Sequence, residues 1–564
     1  MVSAASELSF YYFMCHFYRF IIPSKLAWLP LGQESLSLSY GTVVGNSAIA
    51  IKIFVYIHSK TMYVVNLCRG EIIMEIQVKS QDFWFLLVCL GLGILTELSF
   101  FHGTVGVSYL VFLTGFYIVF FIRFRLLVFT HRRIGLLLMM AIWILSASYL
   151  VYDNQLFYQL NFLVIPALIL CHIVLITVPK QVKWYTPRFL QLVMEKLAGG
   201  IRFNSVFFSE IVKSLFKNMD EQTAHTIKRV ALGLVIGLPL LGIVTILLMS
   251  ADAVFQDLVV QIPRFIFQLN FGEQLFRIAI ILFFLLVFFG IFQVLALANS
   301  TKLYSEEVGN GTKQFDSIIA LTILILLNGV YLLFTAIQFT YFFGGGLEEG
   351  YTFAEYARRG FFELMIVTMV NWTLLISFLT YVKESRRKFK FVLKVMYSIV
   401  IIVSGIMLTS AFQRLSMYEE AYGFTLDRIL AHGFMVFLLV IFAYTMMRVW
   451  LEKLSLLHFY LLASLIFYTG LNVIPLERMI VNNNLERYQA TDKIDVYYLN
   501  SLGATGVDGL ITLYQKEPDF PNLKRILVER KEWAESINQR NSWQSYNLHK
   551  QAVIEKLTKL NLTN

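Results

Sequence analysis

Charged residues are scarce in this chain. Asp, Glu, Lys and Arg make up 15% of its 564 positions, against about 25% in an average soluble domain. Cysteine is scarcer still. There are four, and Cys89 and Cys171 sit inside apolar runs, with no Cys-x-x-Cys pair and no Cys/His metal spacing anywhere. They read as small buried apolar residues. There is no metal motif, nucleophile motif or phosphate loop. No cofactor is implied, no kinase or other output domain is present, and no internal repeat stands out. The residue patterns that would name a reaction are missing, so no catalytic residue can be assigned.

Hydrocarbon is abundant. The chain is 57% hydrophobic and 16% aromatic, and several of its apolar runs reach the length that crosses a bilayer. At roughly 20 residues each, about eleven spans are expected, near 82–101, 105–122, 134–151, 156–178, 230–250, 275–298, 316–342, 361–382, 391–412, 429–447 and 456–475. The fold class is therefore all-α, a polytopic transmembrane helix bundle with the lipid bilayer as its main partner. The net charge of +10 needs no nucleic acid, because the basic residues cluster in alternate loops. Arg123, Arg125, Arg132 and Arg133 follow the second span. Lys180, Lys183, Arg188, Lys196 and Arg202 follow the fourth, and Lys383, Arg386, Arg387, Lys388 and Lys390 follow the eighth. By the positive-inside rule those loops are cytoplasmic, the N-terminus is inside and the C-terminus outside.

Three segments flank or interrupt the bundle of 74–475. Residues 1–73 resemble neither a signal peptide nor a span, and they read as translated leader or disordered extension. Codons for Arg69-Gly-Glu can contain a purine-rich ribosome-binding sequence, which makes Met74 a candidate start. Within the basic loop of 179–229, residues 204–219 keep helical spacing of apolar positions. They suit a helix lying on anionic inner-leaflet lipid, or packing under the bundle. The tail of 476–564 turns polar, with helical stretches near 494–514, 521–539 and 544–560, and Trp533 and Trp543 as a possible core.

Candidate functional residues gather on the outer side. Gly344 to Gly346 break an apolar run. Thr352-Phe-Ala-Glu355 then reads as a capping box, and Glu355, Arg359 and Glu363 follow at four-residue steps on one helix face. Glu363 falls at the membrane boundary, where a carboxylate needs a partner or water. Asp252 follows the fifth span in Ser250-Ala-Asp-Ala-Val-Phe255. Arg414, Tyr418, Tyr422 and Arg428 lie in the connection between the ninth and tenth spans, His432 is one turn on, and Glu97 ends the first. Thr425 after Gly423 suits a helix cap. Asp252, Glu355, Arg359, Glu363, Arg414, Tyr418, Tyr422, Arg428 and His432 form the candidate ligand-binding set, with no metal among them.

These motifs carry a resemblance. Ser250-Ala-Asp252-x-Val-Phe255, Thr352-x-Ala-Glu-Tyr-Ala-Arg-Arg-Gly-Phe-Phe-Glu363-Leu and Arg414-Leu-x-x-Tyr418-x-x-Ala-Tyr422-Gly-x-Thr425 resemble the bacterial membrane family called domain of unknown function 4173, with its 4153 relative. The tail run Asn484-Leu-Glu-Arg487-Tyr488 … Lys493-Ile-Asp495-Val-Tyr-Tyr498-Leu499 is similar too, although Ala504-Thr-Gly-Val507 replaces the family's Asp-Ala-Val-Pro. The resemblance implies an integral protein of a bacterial plasma membrane and supplies no activity.

Three functions compete. A transporter-like protein would use outward polar residues and interrupted helices. Asn328, Gln338 and Asn371, with Gly237-Leu-Pro239 in the fifth span, fit it. A sensor or envelope assembly factor would need an unknown small ligand or protein partner. An extracytoplasmic enzyme on a lipid-linked substrate would draw on Asp252, Glu355, Glu363 and His432 as acid/base groups. The order is transporter-like, then sensor or assembly factor, then enzyme.

Overall fold

The computed structural model describes residues 80–215, 271–298, 315–344, 361–382, 386–538 and 542–562, strands within 37–74, and scattered positions between 226 and 255. The chain falls into two compact units. One holds four antiparallel strands in chain order, β1 (Ser37–Val43), β2 (Ala50–Ile57), β3 (Thr61–Asn66) and β4 (Glu71–Met74). No strand is expected there from the sequence reading. The β-branched and aromatic content of Ala50–Ile57, too short to span a bilayer, suits one.

From Ser80 onward every described regular element is a helix. The bundle comprises α1 (Ser80–Phe100), α2 (Ser108–Arg123), α3 (Arg132–Val151), α4 (Gln155–Thr177), α5 (Pro187–Leu215), α6 (Phe271–Ala298), α7 (Ser317–Gly344), α8 (Phe361–Tyr381), α9 (Arg387–Tyr422), α10 (Leu426–Trp450) and α11 (Leu456–Val473). Among the described residues nine helices are long and apolar enough to cross a membrane, and α2 is a shorter apolar one. The fifth expected span, 230–250, lies mostly outside the described residues, as does the Gly237-Leu-Pro239 break. Pro166 sits within a continuous α4.

α9 organises the bundle. It has 36 residues, about 54 Å at 1.5 Å per residue, so it outruns a ~30 Å hydrocarbon core. It packs against α7, α8 and α10 around Leu375, Phe378, Val400, Met407, Leu438 and Phe442. Arg414, Tyr418 and Tyr422 therefore belong to the helix itself, not to a loop as the sequence reading has it. The loop is only Gly423 to Thr425. Gly423 has φ +86°, a left-handed turn that suits glycine. Thr425 is the residue before α10 as expected, but its hydroxyl makes no cap bond.

Polar side chains inside the bundle are tied to one another. The Tyr331 hydroxyl donates to Asn371 Oδ1 at 2.6 Å, and Asn371 Nδ2 donates to Ser404 Oγ at 2.9 Å, which joins α7, α8 and α9. Asn328 donates to the Met396 carbonyl at 3.1 Å. The side chain of Gln338 is outside the described set. Replacing Asn371 with Leu takes the acceptor from the buried Tyr331 hydroxyl and leaves Ser404 Oγ with its bond to the Val400 carbonyl, which should cost about 1–2 kcal/mol. Adding Tyr331→Phe should return part of it. Thermal midpoints of wild type, single and double variants check this, and three equal midpoints would show that the network adds nothing.

The basic loop also differs from expectation in extent. α5 begins at Pro187, and by Asn204 it is committed to α6. Gly200 and Gly290 let the two backbones touch, and Asn204 Nδ2 donates to the Leu286 carbonyl at 2.8 Å. Residues 216–219 of the expected surface helix are outside the described set.

The tail consists of α12 (Leu476–Thr491), α13 (Val496–Ser501), α14 (Gly503–Lys516), α15 (Leu523–Asn538), a 3₁₀ turn (Trp543–Ser545) and α16 (Leu548–Lys559). Its core is aliphatic, built on Ile480, Leu499, Leu510, Leu523, Leu527 and Ile554. Trp533 and Trp543, expected to supply that core, are 43% and 50% exposed. Leucines and isoleucines at helical spacing fill the interior, and the two indoles are left at the rim.

Candidate functional site

The tail is fastened to one end of the bundle. Val107 N–H donates to the Tyr546 carbonyl at 3.1 Å, and Gln544 Nε2 to the Leu98 carbonyl at 3.2 Å. Asn547 Nδ2 reaches the carbonyls of Tyr149 and Tyr152 at 2.9 and 2.8 Å. The α9–α10 corner is held from the other side. Asn484 accepts from Phe424 N–H at 3.0 Å and donates to its carbonyl at 2.8 Å. Arg487 donates to the Glu420 and Ala421 carbonyls at 3.0 and 2.7 Å, satisfying acceptors that the end of α9 leaves open. The tail motif Asn484-Leu-Glu-Arg487 thus has a structural reason, since it staples the corner. The Tyr498 hydroxyl accepts from Leu426 N–H at 2.8 Å.

Between these fastenings lies a vestibule of about 1160 Å³. Its walls come from the α3–α4 turn (Tyr152 to Gln155), the start of α8 (Phe361, Phe362), the α9–α10 corner (Leu415, Tyr418, Thr425 to Arg428) and the tail. The tail supplies Glu477, Tyr498, Arg530, Trp533 and Lys550, among others. Aromatic rings give stacking surface, and charges of both signs face inward.

The cations are the more available charges. The Arg428 guanidinium donates to the Gly423 carbonyl and lies 4.4 Å over the Tyr418 ring. Arg530 donates to Asn500 Oδ1 at 2.7 Å and to its carbonyl at 2.8 Å, with its guanidinium 5.7 Å from the Trp533 ring centre. Lys550 Nζ is 5.3 Å from that same centre. None of the three has a carboxylate partner among the described residues.

The acids are held differently. Glu477 is buried, 8% exposed, in the wall shared with a smaller cavity of about 390 Å³. Burial first, and the Asp153 carboxylate second, push its pKa up to about 7, while the Thr505 hydroxyl pulls partly back. Thr505 Oγ1 also lies 3.0 Å from His549 Nε2, and burial, with Arg478 next, holds His549 below the usual imidazole value. Asp153 accepts from Ala504 N–H at 3.4 Å. Deeper in, Asn161 is locked to Asn472 Oδ1 and to the Tyr468 hydroxyl, each at 2.7 Å.

The residues singled out from the sequence separate into three groups. Tyr418 and Arg428 line the vestibule, and Tyr422 packs against Tyr418 at 4.8 Å between ring centres, with the rings tilted by 38°. Arg414 is buried on α9. His432 turns to the α9 side of the corner, with Nδ1 3.2 Å from Glu419 Oε2. Glu363 is exposed in the first turn of α8. Asp252 is exposed, and it accepts from Phe255 N–H at 2.9 Å in a local turn without lining the vestibule. Glu355 and Arg359 lie outside the described residues. Glu97 is buried against His102 Nε2 at 2.9 Å and Arg277 Nε at 3.7 Å, also apart from the vestibule. No group of three or more potential metal ligands occurs among the described residues.

Glu477, Arg530, Trp533 and Lys550 were not recognised from the sequence. Glu477, Arg530 and Lys550 stand in polar tail sequence that looks like an ordinary helix surface, and Trp533 reads there as core. The one available signal is a glutamate directly after Pro475, at the point where the last span meets the tail.

A family model described as Domain of unknown function (DUF4153) matches residues 139–513. The match takes in the α3–α4 turn, the α9–α10 corner and Glu477, and it ends before Arg530 and Lys550. No curated protein and no solved structure matches the chain.

Proposed function

This chain belongs to the DUF4153 family, whose description assigns no activity, and on that premise we propose that it is a multi-pass membrane protein that captures a ligand in the vestibule between bundle and tail, in the manner of a transporter open to the outside. The observation that carries this reading is the vestibule itself, a space of about 1160 Å³ on which the α1–α2 and α3–α4 turns, the start of α8, the α9–α10 corner and the tail converge, a little above the roughly 300–1,000 Å³ of ordinary ligand pockets. Cations without a carboxylate partner among the described residues, and aromatic rings beside them at its wall, favour binding over a purely structural role. The tail acts as the clamp, since Glu477, Arg530, Trp533 and Lys550 all belong to it. Deeper in, the hydrogen bonds that join Asn161 to Asn472 and Tyr468 tie α4 and α11 together, as an outward-open state requires.

The membrane is the bacterial plasma membrane, with the N-terminal side of the bundle in the cytoplasm and the tail outside. The support is electrostatic. The loops rich in Lys and Arg are at the end away from the tail, where Lys390 and Lys394 also hold Glu452 at 2.7 and 2.8 Å.

Cysteine labelling on intact cells tests both points, in a variant lacking the four native cysteines. Single cysteines at Gln159 in the vestibule and at Asn538 in the tail should react with an impermeant maleimide, and one at Arg386 should not. Reaction at Arg386 with none at Asn538 would reverse the orientation. Reaction at Asn538 with none at Gln159 would mean that the vestibule is closed to the outside and the capture reading fails.

A further inference from the structure

Phe362 borders two hollows at once. On one side it lines the vestibule. On the other it heads a groove of about 590 Å³ along α8. The groove follows one helix face through Met365, Ile366, Met369 and Val370, with Phe434 of α10 as its far wall. Two hydroxyls line its lower part, and both are spent on their own helix: Thr373 donates to the Met369 carbonyl at 2.9 Å, and Ser377 to the Thr373 carbonyl at 2.8 Å. The groove therefore offers hydrocarbon contact only. From Phe362 to Ser377 it runs about 22 Å at 1.5 Å per residue, more than the ~15 Å hydrocarbon depth of one leaflet. Its mouth is at the first turn of a span, the level at which lipid headgroups lie.

The vestibule complements this groove in charge. Arg530 and Lys550 both approach the Trp533 indole, at 5.7 and 5.3 Å, and Arg428 lines the same space. Two cations gathered at one ring repel each other, and the wall they share offers one carboxylate, Asp153, against the two of them, so a further anion would be stabilised there. Arg530 spends only part of its guanidinium fork on Asn500, and the remaining donors suit phosphate oxygens.

We propose that the vestibule's ligand is a membrane lipid with an anionic, phosphate-type headgroup. The head sits among Arg428, Arg530 and Lys550, and one hydrocarbon chain lies in the α8–α10 groove, passing Phe362. This rests on the vestibule being a capture site. A ligand of this kind arrives sideways from the outer leaflet without leaving hydrocarbon, and Phe362, which lines both hollows, marks where its chain would pass from one to the other.

The test uses the full-length protein in detergent and native mass spectrometry, with three probes: dioleoyl phosphatidylglycerol, dioleoyl phosphatidylcholine and glycerol 3-phosphate. Phosphatidylglycerol should bind at least about tenfold more tightly than phosphatidylcholine. The Arg530→Gln, Lys550→Gln pair should remove that preference. Ile366→Trp, which fills an exposed groove position, should weaken both lipids about tenfold and leave glycerol 3-phosphate unchanged, with the thermal midpoint of each variant confirming that it folds. Equal affinity for the two lipids, or lipid binding indifferent to Ile366→Trp, overturns the proposal. If glycerol 3-phosphate binds as tightly as either lipid and depends on Arg530 and Lys550, the lipid inference fails and the capture reading stands. If no probe binds in a way that depends on Arg530 and Lys550, both fail.

Discussion

Between pH 4 and pH 8 the wild-type protein should lose about 3 kcal/mol of stability that the Glu477→Gln variant keeps. The direction follows from proton counting. Glu477 takes up its proton with a pKa of about 7 in the folded protein, against 4.5 for an ordinary glutamate. Between those values the folded state holds more proton than the unfolded one, so stability falls as the pH rises through the window. The contribution is fully present below pH 4.5 and gone above about pH 7. At pH 8 the buried carboxylate is charged, with Asp153 beside it and the Thr505 hydroxyl as its donor. Glutamine keeps the shape and hydrogen-bonding capacity without the charge, so it should be the more stable side chain there and nearly neutral at pH 4. His549 works in the opposite sense, because burial holds its pKa below 6.5 and its contribution is lost as the pH falls. The wild-type-minus-variant difference at each pH removes that term. Denaturant unfolding at four or five pH values, read by tail-specific hydrogen exchange, measures it. A flat difference would mean that Glu477 titrates alike in the folded and unfolded protein, as a solvated glutamate does.

This junction is also where the vestibule and the smaller cavity share a wall, so a charge at Glu477 enters both. Asp153→Asn gives a consistency check. It removes the second cause of the shift, so the Glu477 transition should move to lower pH while remaining above the ordinary carboxylate range, because burial is the larger cause.

The spans were legible because a bilayer imposes one requirement, about 20 apolar residues, which can be counted without knowing what packs on what. Their ends were not. Arg387–Tyr422 continues past the hydrocarbon because Arg487, from a different part of the chain, caps its last carbonyls. A window over Arg414 to Tyr422 contains six charged or hydroxyl-bearing positions and looks like a loop. The corner at Gly423 was readable, since a glycine between two helical patterns marks a left-handed turn, and so was the gathering of Tyr418 and Arg428 near it.

The rest of the site was illegible for a physical reason. The vestibule is made by sequence-distant contacts: Asp153 meets Ala504 across 351 positions and Asn547 meets Tyr149 across 398. Trp533 shows the cost most clearly. Aromatic residues in a polar tail suggest a core, because burying an indole contributes a large apolar area. Leu499, Leu510, Leu523 and Leu527 already fill that interior, so the indole is left at the rim, where Arg530 and Lys550 meet it. Glu363 is a carboxylate at a span boundary, which invites a site, and it stands exposed on the first turn of α8, a favourable place for a negative charge at a helix N-terminus.

Gly106→Val should unfasten the tail. A Cβ at this position would come within 3.0 Å of three backbone atoms of the 3₁₀ turn, in Gln544, Ser545 and Tyr546. Backbone cannot swing aside as a flexible side chain would, so the turn must lift. The hydrogen bond from Val107 N–H to the Tyr546 carbonyl goes first. The bonds from Ser542 to His102 and from Gln544 to Leu98 follow, because all three lie within five residues of the same turn. Losing this set, with Gln544 now buried without a partner, should cost on the order of 3 kcal/mol. Ser545, Asn547 and Lys550 also line the vestibule, so the substitution opens that wall and should abolish ligand capture even where the bundle still folds. Gly91→Val is the control. Nothing lies within 4 Å of its added Cβ, and it carries the same glycine-to-valine change inside α1. Limited proteolysis across 539–547, together with thermal midpoints, should therefore separate the two variants, with rapid cleavage for Gly106→Val and a wild-type pattern for Gly91→Val. Equal protection in both would mean that the turn is not seated against α2, and the vestibule would then lack the wall on which its capture role depends.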